Sequence, residues 1–309
     1  MQTALGPVFN TVSPQAGAIA NLFGIVLVIC GVIFAIVTSA IAYNLLRFRA
    51  KADAPEPRQI FGNRRLEILW TATPAAILAL LLFLTSRVMG RVDPPLDAKA
   101  DIIVTGHQWW WEARYVASGV HAANEIHIPA GKRWLVDLEA ADVIHDLWSP
   151  QLGRKMDAVP GRTNRVWLEA DIPGTYIGFC DEFCGAQHAW MQFRVIAQPP
   201  AEFEAWAQQQ TQPAIATAAT AAGRKAFQDL LCVNCHAVGG IGTNATAGPD
   251  LTHVAGRETL GGGVLANSPA NLALWLKNPQ AIKPACLMPN FNLTDGQARD
   301  LAAFLEATP

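Results

Sequence analysis

The sequence predicts three parts: a hairpin of two membrane-spanning helices, then an all-β domain, then an all-α domain. Three observations carry this. Two long uncharged apolar runs lie within the first 92 residues. Short β-type segments punctuated by Gly and Pro turns occupy residues 101 to 197. Helical patterning returns from Arg224 onward. A chain of 309 residues has room for all three. The boundaries read as 1–92 for the hairpin, 93–198 for the β domain, 199–222 for a linker and 223–309 for the α domain, with no internal repeat.

The hairpin is read from charge and length. No charged residue precedes Arg47, and residues 16–46 are almost wholly apolar. That exceeds the roughly 20 residues a bilayer span needs. A cleaved signal peptide would carry a basic start and a shorter apolar core, and no basic residue precedes this run. The second run, 68–86, is interrupted only by Pro74, which spans tolerate where neighbours re-satisfy the backbone. Between the runs lie Arg47, Arg49, Lys51, Arg58, Arg64 and Arg65. Such a cluster places the connecting loop on the cytoplasmic side, and everything after Arg87 on the periplasmic side.

The β domain is read from segments such as Ile102-Ile-Val-Thr, Glu125-Ile-His-Ile, Trp134-Leu-Val-Asp-Leu and Phe193-Arg-Val-Ile. Turns fall at Pro129-Ala-Gly-Lys, Pro160-Gly-Arg and Pro173-Gly-Thr, the pattern of a sandwich or barrel. The linker is rich in Ala, Gln, Thr and Pro; its part Ala201-Glu-Phe-Glu-Ala-Trp-Ala looks helical, and residues 211–222 read as flexible. The α domain has a helix at 224–231, a Gly-rich middle, a helix near 269–276, and a last helix capped by Thr294 that presents Leu301, Phe304 and Leu305 on one face.

A formal net charge of −2 and the lack of a basic stripe exclude a nucleic-acid partner. The six cysteines are Cys30, in the first span, Cys286, in the α domain, and two motif pairs. The first pair lies in Cys180-Asp-Glu-Phe-Cys184-Gly-Ala-Gln-His188-Ala-Trp-Met191. Soft sulfur ligands with imidazole select copper. Two thiolates four residues apart can bridge two metals, leaving a His and a Met to cap the ends. The rival reading is a disulfide formed in an oxidising compartment, which leaves His188 and Met191 unexplained. The second pair lies in Cys232-Val-Asn-Cys235-His236, the pattern of covalent haem attachment. A zinc site there would need further ligands, and only His253 and Cys286 are spare. A chain with both motifs is built to move electrons.

The pattern C-x-E-x-C-G-x-x-H-x-x-M resembles the dinuclear copper A site of subunit II of the haem–copper cytochrome c oxidases. The resemblance extends over about residues 15 to 200, through Glu67-Ile-Leu-Trp70-Thr, Gly106-His-Gln-Trp-Trp-Trp-Glu112, Asp142-Val-Ile-His145, Trp148-Ser-Pro-Gln-Leu-Gly and Lys155-Met-Asp-Ala-Val-Pro-Gly-Arg. It implies a cupredoxin-like Greek-key barrel. It also implies that Cys180 and Cys184 bridge two coppers. His188 and the Glu182 carbonyl would complete one copper, and His145 and Met191 the other. For the Glu182 carboxylate it implies a magnesium site shared with subunit I. Trp109 matches the position that receives electrons. Trp110 and Trp111 complete its aromatic strip, where Trp111 is also a candidate for plain core packing. Glu67 matches the mouth of a proton path into subunit I, in a place where a charge is costly if it meets lipid. Asp146 departs from the family, which has a small hydroxyl residue there, and this touches the hydrogen bonding around His145. His107, His121, His127 and His253 read as structural or surface residues.

In the α domain, Leu287-Met288-Pro-Asn-Phe291 before a capped helix resembles the sixth-ligand loop of class I cytochromes c. This implies thioethers from Cys232 and Cys235, His236 as proximal and Met288 as distal haem ligand, and a proximal hydrogen bond to the Pro249 carbonyl. Trp275 and Arg257 would meet the propionates, with a core Trp and a surface Arg as the alternative readings. His/Met ligation raises the haem potential. Together these resemblances imply the electron-receiving subunit of a proton-pumping terminal oxidase of the bacterial inner membrane, with its copper and haem domains on the periplasmic side. Electrons would pass from cytochrome c or an upstream respiratory complex to haem c, then copper A, then subunit I. Subunit I, subunit III and membrane lipid are the implied partners. The chain would not be catalytic alone. A nitrous oxide reductase would need a further His-rich cluster, which seven dispersed histidines do not supply. A copper metallochaperone would lack the Met and haem motifs, and a quinol oxidase subunit II would lack the copper ligands.

Overall fold

The computed structural model describes residues 7–49, 56, 58–95, 97–213, 220–239, 241 and 245–308. Lys51 of the basic loop and residues 214–219 of the linker lie outside them. The chain divides into two compact units, residues 17–93 and the remainder.

The smaller unit is built on α1 (Pro14–Arg47) and α2 (Arg64–Val92). Both are long and apolar enough to cross a membrane. Ser13 caps α1 by accepting from the Ala16 N–H at 3.0 Å, and Pro14 takes the first helical position, where its missing donor costs nothing. Large apolar side chains are exposed all along both helices, Phe34 at 73% and Leu82 at 70%, as lipid-facing surfaces require. Pro74 lies inside α2. Asn63 caps that helix by accepting from Arg65 and Leu66, and Glu67 returns the favour by accepting from the Asn63 N–H at 3.2 Å.

The larger unit begins with ten strands: β1 (Ile102–His107), β2 (Trp110–Tyr115), β3 (His121–Ala123), β4 (Glu125–Pro129), β5 (Trp134–Ala140), β6 (His145–Trp148), β7 (Met156–Ala158), β8 (Asn164–Leu168), β9 (Gly174–Cys180) and β10 (Gln192–Gln198). They form two sheets, ordered β3-β2-β1-β5-β8 and β4-β10-β9-β6-β7. Alternate residues of β1 and β10 point inward, so Ile102, Val104, Phe193 and Val195 fill one core with Ile126, Ile128 and Trp111. Trp111 is fully buried, with Phe193 on one side and the His145 ring on the other, each at 5.8 Å between centroids.

Two glycines make that packing possible. A Cβ on Gly178 would lie 2.1 Å from Phe193 Cζ, and one on Gly106 would lie 2.8 Å from His145 Cδ2. The first admits a core ring; the second admits a candidate ligand.

The helical part of the linker is α3 (Pro200–Gln210). It is docked on the β domain: Phe203 and Trp206 pack with Tyr115 and Trp134. The His127 ring stacks on Trp206 at 4.0 Å, while its Nδ1 meets Gln198 Oε1 at 2.9 Å. Burial pushes the His127 imidazole down to about 4.

The α domain comprises α4 (Ala221–Asp229), α5 (Pro269–Lys277), α6 (Pro279–Ile282) and α7 (Asp295–Glu306). Thr294 and Gln297 form a full capping box on α7, and Leu301, Phe304 and Leu305 are buried as its periodicity predicts. Gly223 lets α4 cross close to α7, since a Cβ there would meet the Asp300 carbonyl at 2.0 Å. One feature is not helical. Gly261, Gly262 and Gly263, all at positive φ, turn a short hairpin between β11 (Thr259–Leu260) and β12 (Leu265–Ala266). The Gly-rich middle of the sequence builds this hairpin, because three consecutive left-handed residues admit no ordinary side chain.

Gly178→Ala should lower stability by about 2 kcal/mol through overpacking against Phe193, read as a drop in the denaturant midpoint of the purified chain; an unchanged midpoint contradicts the close packing. The neutral His127 ring is the folded form, so its contribution is whole above pH 6.5 and is lost as pH falls from there toward 4. His127→Asn should therefore flatten the decline of the thermal midpoint across that window, and an unaltered slope would show the ring to be solvated.

Candidate metal centre

The β6–β9 pairing and one loop assemble the centre. Cys180 closes β9, Gln192 opens β10, and the loop between them carries Cys184, His188 and Met191. Leu147 of β6 pairs with Cys180, which brings His145, two residues earlier, beside the same sulfur. The loop is held by its backbone: His188 N–H donates to the Gly185 carbonyl, Met191 N–H to His188, and Cys180 N–H to Met191. Gly185, at φ 115, turns beneath Trp109; a Cβ there would lie 3.0 Å from the indole. Trp109 Nε1 and Gln108 Nε2 both donate to the Cys184 carbonyl, at 2.9 and 2.8 Å.

The expected ligand atoms converge on two sulfurs. Cys180 Sγ and Cys184 Sγ stand 3.7 Å apart, as free thiols, far beyond the S–S bond length of about 2.05 Å. Around Cys180 lie His145 Nδ1 at 3.9 Å and the Glu182 carbonyl at 3.3 Å. Around Cys184 lie His188 Nδ1 at 3.7 Å and Met191 Sδ at 3.8 Å. His145, Cys180, Cys184 and Met191 are buried, and Glu182 directs its carbonyl inward while its side chain is exposed. Two thiols, two imidazoles, a thioether and a carbonyl within such distances suit soft, thiophilic metal ions.

The electrostatics favour one thiolate before any metal arrives. The hydrogen bond between Cys180 and Cys184 holds the Cys180 thiol down to about 4. Cys184 is pushed up, first by that same bond and then by burial. The two sulfurs thus titrate as a pair, and a bound cation would favour loss of their protons. Burial pulls the His145 imidazole down, but its bonds to Cys180 and Asp142 outweigh this and leave it raised.

His145 is oriented by Asp142, whose Oδ1 lies 2.8 Å from Nε2. Asp142 is itself fixed by the N–H groups of Gln108 and Val143. A carboxylate on the far nitrogen is the usual means of setting a ligand imidazole's tautomer. Asp146, the departure from the family, plays no such part. It is buried opposite Asp157, and burial, followed by that neighbouring carboxyl, pushes it up to about 8. Sequence reasoning passed over Asp142, although its place three residues before His145 was the available signal; Gln108 gave none. His107 and His121 flank Glu112 at 3.3 and 2.9 Å, and these bonds, His107 first, hold that carboxyl down to about 2.

In the α domain, His236 Nδ1 meets the Pro249 carbonyl at 2.8 Å. Gly248 leaves room for the ring, since a Cβ there would lie 2.5 Å from His236 Cε1. Cys232 is half-buried and Cys235 exposed, on the turn in which the His236 N–H donates to the Cys232 carbonyl. Met288 is half-buried against the domain core, its carbonyl held by Gln280 at 2.8 Å. Two thiols on a turn, an imidazole with one nitrogen already committed, and a thioether on the core form a donor set that suits a covalent haem. Trp275 packs on the Gly261 turn, and Arg257 donates to the Asp250 carbonyl.

Three family descriptions match in order along the chain: "Cytochrome C oxidase subunit II, transmembrane domain" over residues 3–87, "Cytochrome C oxidase subunit II, periplasmic domain" over 117–198 and "Cytochrome c" over 220–309. Cytochrome c oxidase subunit 2 of Alkalihalophilus pseudofirmus is 36% identical, covering 99% of this chain and 90% of its own. That of Bacillus sp. (strain PS3) is 31% identical, covering 81% and 76%. The crystal structure of the periplasmic domain of subunit II of cytochrome oxidase from Bradyrhizobium japonicum is 33% identical, covering 37% of this chain and 95% of its own, with a TM-score of 0.35. The chain belongs to the cytochrome c oxidase subunit II family, an oxidoreductase subunit that works with a subunit I partner, with a copper-type cupredoxin-like domain and a C-terminal haem-type cytochrome c domain.

Proposed function

We propose that this chain is the electron-receiving subunit of a proton-pumping terminal oxidase, passing electrons from cytochrome c or an upstream complex through a covalent haem c to a dinuclear copper centre and on to subunit I. The observation that carries this reading is the convergence of four further donor atoms on the paired sulfurs of Cys180 and Cys184. His145, Glu182, His188 and Met191 are the remaining ligands in this reading. Cys232 and Cys235 would attach the haem, and His236 and Met288 would hold its iron. When bound, the two groups supply one-electron relays whose charge change is spread over a delocalised metal pair and a macrocycle.

The protein's own contribution is rigidity and dryness. The core around Trp111 and Phe193 fixes His145, the Asp142 carboxylate sets its tautomer, and burial of both thiols excludes water. Such preorganisation limits reorganisation when charge moves. Trp109, bonded to the Cys184 carbonyl, is the position through which the copper ligand loop receives electrons. Glu67 opens a proton path at the start of the second span; its bond to Asn63 also gives it a capping role. The exposed Glu182 carboxylate adds no support for magnesium. The basic cluster at Arg47, Arg49, Arg58, Arg64 and Arg65 supports a cytoplasmic connecting loop in the bacterial inner membrane, with both cofactor domains periplasmic. Subunit III is a further partner in this reading.

Stopped-flow spectroscopy of the assembled oxidase tests the order of carriers. With Cys184→Ser, the donor should still reduce the haem, but oxygen consumption should fall by about a hundredfold or more, the scale of a lost ligand set. With Met288→Leu, haem reduction itself should be impaired because the thioether no longer favours the ferrous state. Oxygen consumption that survives Cys184→Ser contradicts the proposal.

A further inference from the structure

The haem domain meets the β domain along a seam of buried charge. Glu125, on β4, is 2% exposed. Its carboxylate accepts from the Glu258 N–H at 3.1 Å, the Thr259 N–H at 3.0 Å and the Thr259 hydroxyl at 3.3 Å. Arg194, on β10, donates to that hydroxyl at 2.9 Å and stands 3.7 Å from the Glu258 carboxylate, which also accepts from Thr175 at 3.3 Å. At the other end, Lys283 is 4% exposed. Its ammonium donates to the Gly261 carbonyl of its own domain at 3.0 Å and to the Trp109 carbonyl of the β domain at 3.2 Å.

The hairpin turn lies flat between these ends. A Cβ on Gly262 would fall 3.3 Å from Lys283 Nζ and 3.6 Å from the Trp190 carbonyl, and one on Gly263 would fall 3.2 Å from Arg194 Nη1. Any side chain at either position would wedge the domains apart. A buried carboxylate and a buried ammonium are each costly unless their hydrogen bonds are met. Here Glu125 takes all three of these bonds, and Lys283 one of its two, from across the seam, so their burial is compensated in the docked arrangement.

The seam also has a direction. Lys283 lies five residues before Met288 in the sequence. It is bonded to Trp109, whose indole is bonded to the Cys184 carbonyl. Two hydrogen bonds, joined through Trp109 itself, thus connect Lys283 of the haem domain to the Cys184 carbonyl of the copper ligand loop.

We propose that Glu125 and Lys283 are positioning residues that latch this chain's own haem domain onto the β domain over Trp109, so that electrons are delivered within one docked unit and not by a swinging tether. This rests on the haem-to-copper order proposed above. One electron leaves the ferrous haem and one is gained by the copper pair, and neither residue changes its covalent state.

The test uses the full chain in its oxidase complex, with two readouts. In Glu125→Gln/Lys283→Met, hydrogen–deuterium exchange at the Glu258 and Thr259 amides should rise about tenfold or more, the factor one charge-assisted hydrogen bond commands. Exchange in α7 and β5 should stay unchanged. The haem-to-copper rate after a reducing flash should fall by about tenfold or more and become dependent on solvent viscosity, as a swinging domain requires. Glu258→Lys, at a half-exposed site beside Arg194, tests the same seam without disturbing either core and should move both readouts the same way. Native protection at the Glu258 and Thr259 amides in both variants overturns the latch. Faster exchange with an unchanged rate overturns the positioning role. Failure of the unvaried complex to pass electrons from haem to copper overturns the carrier order instead, and the exchange data still judge the seam.

Discussion

The pairing of β6 with β9 is the constraint on which the candidate centre depends. Ladder hydrogen bonds are blind to side chains, so the register is secured by burial. A slip of one residue along β9 would turn Tyr176 and Cys180 outward and the exposed Ile177 and Phe179 inward. Held in register, β9 delivers Cys180 into the core and β6 delivers His145 beside it. Gly106 and Gly178 complete the arrangement by leaving space for the His145 and Phe193 rings. The ligand loop then needs only to close between two fixed strands, and its own backbone bonds do so.

A site made this way exists before any metal. Its two sulfurs are already paired at 3.7 Å, its imidazole at 145 is already aimed, and most of its donors are dry. Ordering was accomplished on folding, so little is left to order on metal binding or on a change of charge. The haem domain follows the same logic at His236, whose Nδ1 is committed to the Pro249 carbonyl and whose ring lies over a glycine. In the latch proposed above, the polar seam between Glu125, Arg194, Lys283 and the glycine hairpin would hold the two domains together, and Phe203 and Trp206 dock α3 on the β domain.

Much of this was legible in the sequence because its signals are local. Residues 16–46 and 68–86 announce helices by lacking charge, and α1 and α2 contain them. Short β-type runs between Gly and Pro turns mark β1, β4, β5 and β10, and the Thr294 cap marks α7. The donor residues are recognisable by type and spacing alone. The short strands β3, β6 and β7 were not legible: Asp142-Val-Ile-His145-Asp-Leu-Trp has no alternation, and β6 is a strand only because β9 and β7 pair with it. Asp142 was hidden behind the ligand it orients. His127, read as structural or surface, is in fact buried and stacked on Trp206, a partner far along the chain. Glu125 and Lys283 look like ordinary charged residues; only the fold brings them to one seam.

The most direct measurement is the electron paramagnetic resonance spectrum of the full chain in detergent, loaded with copper. A hyperfine pattern from two equivalent copper nuclei sharing one unpaired electron is the result the proposal predicts, since two sulfurs 3.7 Å apart would hold both metals alike. A single-copper pattern, or silent copper left beside a Cys180–Cys184 disulfide, contradicts the dinuclear centre.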